Sequence, residues 1–182
     1  MSAITGPRTL GLVIAVVIAV LATGCASAKI KSPTPGQGTT ASTPAPMTAA
    51  DLAWIQAITE MHKKIDKPFM ASSMDMTRAK MNELRDSLRS CNRELSRIGS
   101  PSARLQPAYE LVKQACRIYA TGARCFARWA SVSDASGAVM VGTPADRIAR
   151  RAEACGFAAQ GNGSNLLGEA EARAAAIRAQ FP

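Results

Sequence analysis

Between residues 74 and 98 the chain places Met74, Thr77, Met81, Leu84, Leu88, Cys91, Leu95 and Ile98 at steps that alternate three and four. That spacing puts all eight on one face of an α-helix, an a/d stripe sustained over three heptads. It fits no strand, whose side chains repeat every two residues. A helix with such a seam must bury it against other helices. Gly99 follows directly and suits a C-terminal cap.

The chain from Thr48 onward supplies those partners. Thr48 and Asp51 have the spacing of a capping box, and a first helix is expected from there to about Lys67, where Pro68 stops it. Trp54, Ile58, Met61 and Ile65 share one of its faces. After Ser100-Pro101, a third helix settles in by Pro107, carries Val112, Cys116, Tyr119, Ala123 and Phe126, and fades near Ser133-Asp134. A loop over 134–143 leads to Thr143-Pro144-Ala145-Asp146, a capping threonine with proline at the first helical position. The fourth helix carries Ile148, Ala152, Cys155 and Ala159, meets Gly161-Asn162-Gly163, and resumes with Leu166, Ala170, Ala174 and Ile177. Its register holds across the glycines, so a kink or short break is expected there. With no strand-like alternation and no internal repeat, the expected fold is all-α: an antiparallel four-helix bundle over residues 48–182.

The N-terminus reads as an address. One charge, Arg8, precedes an apolar run from Leu10 to Ala22. As a helix the run spans about 20 Å, short of the ~30 Å hydrocarbon core, which suits a signal peptide rather than a membrane span. Leu21-Ala22-Thr23-Gly24-Cys25 follows and resembles the lipobox of bacterial lipoproteins, with Ala22 where the usual pattern has leucine. The resemblance implies removal of residues 1–24, acylation of Cys25, and tethering on the extracytoplasmic face of the cell membrane. Two acyl chains give stable attachment. Residues 25–47 are rich in Ser, Thr, Pro, Gly and Ala without a hydrophobic period, and should form an extended, mobile spacer reaching about 25 Å.

Four cysteines remain in the exported part, Cys91, Cys116, Cys125 and Cys155, and an even number there predicts two disulfides. Cys116 and Cys125 stand nine residues apart on one helix, about 180° of rotation and ~13 Å of rise, so they face different neighbours. Cys91 and Cys116 lie at similar depths below the turn between helices 2 and 3. Cys125 and Cys155 match across the turn between helices 3 and 4. The expected pairs are therefore Cys91–Cys116 and Cys125–Cys155, since Cys91–Cys125 would need an axial slip of roughly 25 Å against a Cα limit of about 7 Å.

Signs of chemistry are sparse. The single histidine, His62, makes an imidazole triad or a multi-histidine metal site hard to assemble. The chain has no P-loop, dinucleotide fingerprint, HExxH or SxxK motif, so neither enzyme activity nor a cofactor is expected. Met70, Met74 and Met76 beside His62 form a soft-ligand segment that suits a carrier of Cu(I) or a small ligand. Against that, Met74 and Met81 fall on the helix 2 stripe, where methionine is ordinary core filling.

Charge is the stronger signal. The chain holds 22 Lys and Arg against 13 Asp and Glu, a net +9 that becomes +8 when Arg8 leaves with the signal peptide. Arg85, Arg89, Arg93 and Arg97 recur every four residues on helix 2, with pairing expected for Asp86–Arg89 and Glu94–Arg97. Arg117, Arg124 and Arg128 follow on helix 3, and Arg147, Arg150 and Arg151 open helix 4. A field of this sign attracts anionic headgroups, acidic wall polymers or an acidic protein face. Nucleic acid is disfavoured by the compartment and by the lack of interleaved aromatics.

The segments Ala-Cys-Arg-Ile-Tyr, Gly-Ala-Arg-Cys-Phe-Ala and Cys-Gly-Phe-Ala-Ala resemble small cysteine-bearing helical lipoproteins of actinobacteria whose roles are unassigned. The resemblance covers roughly residues 80–170, implies a helical fold and brings no catalytic residues. The expected function is that of a membrane-anchored, non-catalytic binding or interaction module of the cell envelope. Its partner would be an anionic envelope component or a protein.

Overall fold

A computed structural model describes residues 45–71 and 76–181, all within one unit, Ser42–Pro182. The expected signal peptide, Cys25, most of the expected spacer and Met74 lie outside the described residues. The described chain forms α1 (Ala49–Met70), α2 (Arg78–Ile98), a 3-10 turn (Ala103–Leu105), α3 (Gln106–Val132) and α4 (Pro144–Ala179), with no strand among the described residues. Thr48, Thr77 and Thr143 cap α1, α2 and α4, each hydroxyl accepting a hydrogen bond from the amide three residues on. Gly99 ends α2 at a φ of 80°, a left-handed conformation open to a residue without Cβ.

The helices form a bundle in which α3 packs against α2 and α4, and α1 packs against α2 and α4. The expected apolar face of α1, Trp54, Ile58, Met61 and Ile65, is buried, as are Met81, Leu84, Leu88, Cys91 and Leu95 on α2. One disulfide joins Cys91 to Cys116 and so ties α2 to α3, with the Cα atoms 5.3 Å apart. The other joins Cys125 to Cys155 and ties α3 to α4, at 5.9 Å. These are the two pairs that the helix levels select.

Three details differ from the expectation. First, Thr77 is the cap of α2 rather than a member of its buried stripe, so the seam begins at Met81. Second, α1 runs through Pro68 to Met70. The proline removes only the amide bond to the Lys64 carbonyl, and the helix closes again with the Ala71 amide on the Lys67 carbonyl at 3.2 Å. Packing repays that lost bond: the Phe69 ring lies 6.1 Å from Phe126 and 6.4 Å from Phe157.

Third, α4 is a single helix of 36 residues that continues through Gly161-Asn162-Gly163 without a break. Its buried stripe is Ala149, Ala152, Gly156, Ala159, Gly163, Leu167, Ala170 and Ala174. The small residues let the α4 backbone approach α3 closely, so burial itself holds the glycines in the helix. A Cβ on Gly156 would collide with the Phe126 ring, and one on Gly163 with the Tyr119 ring. No helix among the described residues is long and apolar enough to cross a membrane.

Candidate functional site

The helix 2 arginines do not share one face. A four-residue step turns about 40° around the axis, so Arg85 and Arg97 end roughly 120° apart. Arg85 is held by both carboxylate oxygens of Asp86, at 2.8 and 3.1 Å, in place of the expected Asp86–Arg89 pair. Arg97 pairs with Glu94 as expected, and the buried Glu94 carboxylate also takes Lys64 from α1. Those two cations hold the Glu94 carboxyl below the ordinary range against the cost of burial. Arg89 and Arg93 are exposed and close no ion pair among the described residues, though the Arg89 charge still helps to lower the Asp86 carboxyl.

On the other side of the bundle, Arg124 and Arg128 of α3 and Arg151 of α4 line one cleft of about 350 Å³. Its apolar floor is the Cys125–Cys155 disulfide with Ile148 and Ala152. Arg124 donates to the Thr121 hydroxyl at 2.9 Å. Arg128 and Arg151 have no acidic partner among the described residues. Asp146, in the first turn of α4, is bonded to Arg150.

The site that sequence reasoning missed lies on the α1–α4 seam. His62 places Nδ1 2.9 Å from Glu171 Oε1, and Nε2 2.9 Å from Ser164 Oγ and 3.2 Å from Asp66 Oδ2. The Ser164 hydroxyl donates to Asp66 at 2.7 Å, and Gln160 donates to the other Asp66 oxygen at 3.3 Å. Hydrogen bonding to Asp66 raises the His62 pKa above its ordinary 6.5 against desolvation, with Glu171 adding to the effect. Burial pushes Asp66 up, but hydrogen bonds from His62, Ser164 and Gln160 outweigh it and leave Asp66 below its usual value. The partners are 102 and 109 residues from His62 in sequence, and no local motif joins them.

Serine, histidine and glutamate stand here in the order of a nucleophile relay, but their chemistry points elsewhere. A general base needs a free nitrogen lone pair facing the hydroxyl. Protonated, His62 donates from both ring nitrogens to carboxylates, and the Ser164 proton goes to Asp66. Ser164 also sits inside α4, where the surrounding amides are used by the helix and offer no oxyanion donors. The arrangement is an ionic latch between two helices.

The methionine segment is only partly described. Met70 is 87% exposed beside a shallow groove that also holds His62, Lys63, Asp66 and Lys67, while Met76 packs against the core. The two lysines and the occupied imidazole are poor company for a Cu(I) ion. Among the described residues no group of three or more His, Cys, Asp or Glu is placed to hold a metal ion. No protein family, curated protein or solved structure matches the chain.

Proposed function

We propose that this chain is a bacterial envelope lipoprotein whose antiparallel four-helix bundle, residues 48–182, serves as a non-catalytic binding module for an anionic component of the envelope. In this reading residues 1–24 are the signal peptide, Cys25 carries the lipid, and residues 25–47 are the spacer. The short apolar run from Leu10 to Ala22 and the Leu-Ala-Thr-Gly-Cys sequence after it support the anchor. Two disulfides suit an oxidising compartment. The observation that carries the binding role is the set of exposed arginines that close no ion pair among the described residues, Arg93, Arg128 and Arg151, with Arg89 only sharing the field of Asp86, on a chain of net charge +9. The engagement of His62 and Ser164 by carboxylates supports a role without catalysis.

Expression of the full chain, Cys25→Ala, and a charge-reversed R89E/R93E/R128E/R151E form tests both halves. The full chain should incorporate a labelled fatty acid and sediment with membranes, and Cys25→Ala should do neither. Extracted protein should bind envelope fragments less tightly as salt rises, and the charge-reversed form should lose binding while keeping its helical circular dichroism. Acylation surviving in Cys25→Ala would overturn the anchor. Unchanged binding by the charge-reversed form would overturn the electrostatic role.

A further inference from the structure

We propose that the cleft between α3 and α4 is a binding site for a small phosphate ester, its anionic head held by Arg124, Arg128 and Arg151 and its apolar part laid on the disulfide, Ile148 and Ala152. The inference rests on the basic surface being a ligand-binding one, and deepens that reading by naming the site and the chemistry.

Three arginines on two facing helices form its rim. Arg124 and Arg128 lie one turn apart on α3, and the Cys125–Cys155 bridge sets Arg151 of α4 at the same level. A carboxylate is satisfied by one guanidinium fork. A phosphoryl group has three free oxygens and up to two charges, which suits several forks converging from different directions. The floor is apolar and contains no acid among the lining residues, so a ligand of phosphate alone would leave it wet. The volume, about 350 Å³, lies at the small end of the ligand-pocket range of roughly 300–1,000 Å³, enough for a ring or a short chain and too little for a nucleotide.

Other clefts with an arginine lack the convergence of several forks: the one along Ala49, Leu52, Ala53 and Ile55 is apolar and free of acids but holds a single arginine, Arg178. The one at the start of α1 contains Arg97, but Asp51 lines it and Glu94 holds the guanidinium. The one beside Tyr109 contains Arg117 with Lys113, and Glu110 neutralises that lysine.

The test uses the purified full chain in a neutral detergent, acylated or not, titrated calorimetrically with phenyl phosphate. Saturable one-to-one binding is expected. R128Q/R151Q should weaken it about tenfold or more, while R89Q/R93Q leaves it within about twofold. Inorganic phosphate should bind several-fold more weakly than phenyl phosphate, and Ile148→Ala should narrow that gap. No saturable binding by a folded protein overturns the site. So does an equal loss in R89Q/R93Q, which would mean a diffuse field. Inorganic phosphate as tight as phenyl phosphate overturns the apolar part of the assignment. Phosphatidylglycerol vesicles separate the two sources of such an ester: capture that needs Arg128 and Arg151 assigns a bilayer headgroup, and phenyl phosphate binding without capture assigns a diffusible ester. Failure of acylation at Cys25 leaves this titration unaffected. Envelope binding that persists when phenyl phosphate fails would overturn the cleft alone.

Discussion

Gly156 and Gly163 set how near α4 comes to α3, because each has an aromatic ring where its Cβ would be, Phe126 and Tyr119 respectively. Alanine is favoured over glycine inside a helix by about 1 kcal/mol, and G161A and G168A should show that gain because nothing stands within 4 Å of the added carbon. At Gly156 and Gly163 the same substitution forces a ring or a backbone to move, and overpacking of this kind costs about 1–3 kcal/mol. Urea midpoints should therefore rise for G161A and G168A and fall for G156A and G163A. A rise for G163A would mean that the Tyr119 ring has room to move. Tyr119 supplies its own contrast. Its hydroxyl is buried beside Asp66 and Ser164, burial pushes its pKa up, and it makes no hydrogen bond of good geometry. Tyr119→Phe removes a buried hydroxyl that makes no well-formed hydrogen bond, its neighbour Ser164 being committed to Asp66, so stability should stay within about 0.5 kcal/mol or increase. A larger loss would reveal a bond to Ser164.

Among the elements, α1 is the helix that no disulfide holds, and the His62 latch is its ionic tie to α4. The titratable groups facing His62 are Asp66 on its own helix and Glu171 across the seam, with Lys63 and Lys67 in the same groove. Folding raises the His62 pKa, so the native state binds the proton more tightly than the unfolded chain. That stabilisation is complete below 6.5 and fades as pH climbs through the raised value. Asp66 is lowered on folding, so its contribution is present above 3.8 and is lost as pH falls through the lowered value. The latch is therefore strongest between those limits. The melting temperature of the full chain should fall from pH 6 to pH 8 more steeply than that of His62→Gln, and parallel curves would remove the latch. Little of this seam was legible in the sequence, because its partners meet only when distant helices pack. The stripe of α2 was legible, since leucine and methionine mark a buried face by hydropathy alone. The stripe of α4 was legible in part: Ala152, Ala159, Ala170 and Ala174 are buried as expected, but Ile148, Cys155 and Leu166 stand one position from the buried Ala149, Gly156 and Leu167, because glycine and alanine mark close backbone approach and give hydropathy almost no signal. The arginines of the α3–α4 cleft were visible singly; their meeting depended on which helices face each other.

At the scale of the whole molecule, the two disulfides chain α2 to α3 and α3 to α4, and they differ in access. Cys91 and Cys116 are fully buried, whereas Cys125 and Cys155 are part-exposed at the floor of the arginine cleft. Thiol–disulfide exchange needs an attacking thiolate in line with a sulfur, so the exposed bridge is the one a reductant can reach without unfolding the protein. Each bridge closes a separation of 25 or 30 residues, worth about 3.5 kcal/mol by chain entropy, so either one alone matters to a domain of ordinary stability. Native protein exposed briefly to a small phosphine reductant should open Cys125–Cys155 first, read by differential alkylation and peptide mass spectrometry. Cys91 and Cys116 should become labelled only as denaturant is added. The arginines enter here too, since a cationic rim draws an anionic reductant toward the cleft and salt should slow that first step. Simultaneous labelling of all four cysteines would mean that reduction proceeds through global unfolding, and that α3 and α4 separate no more readily than α2 and α3.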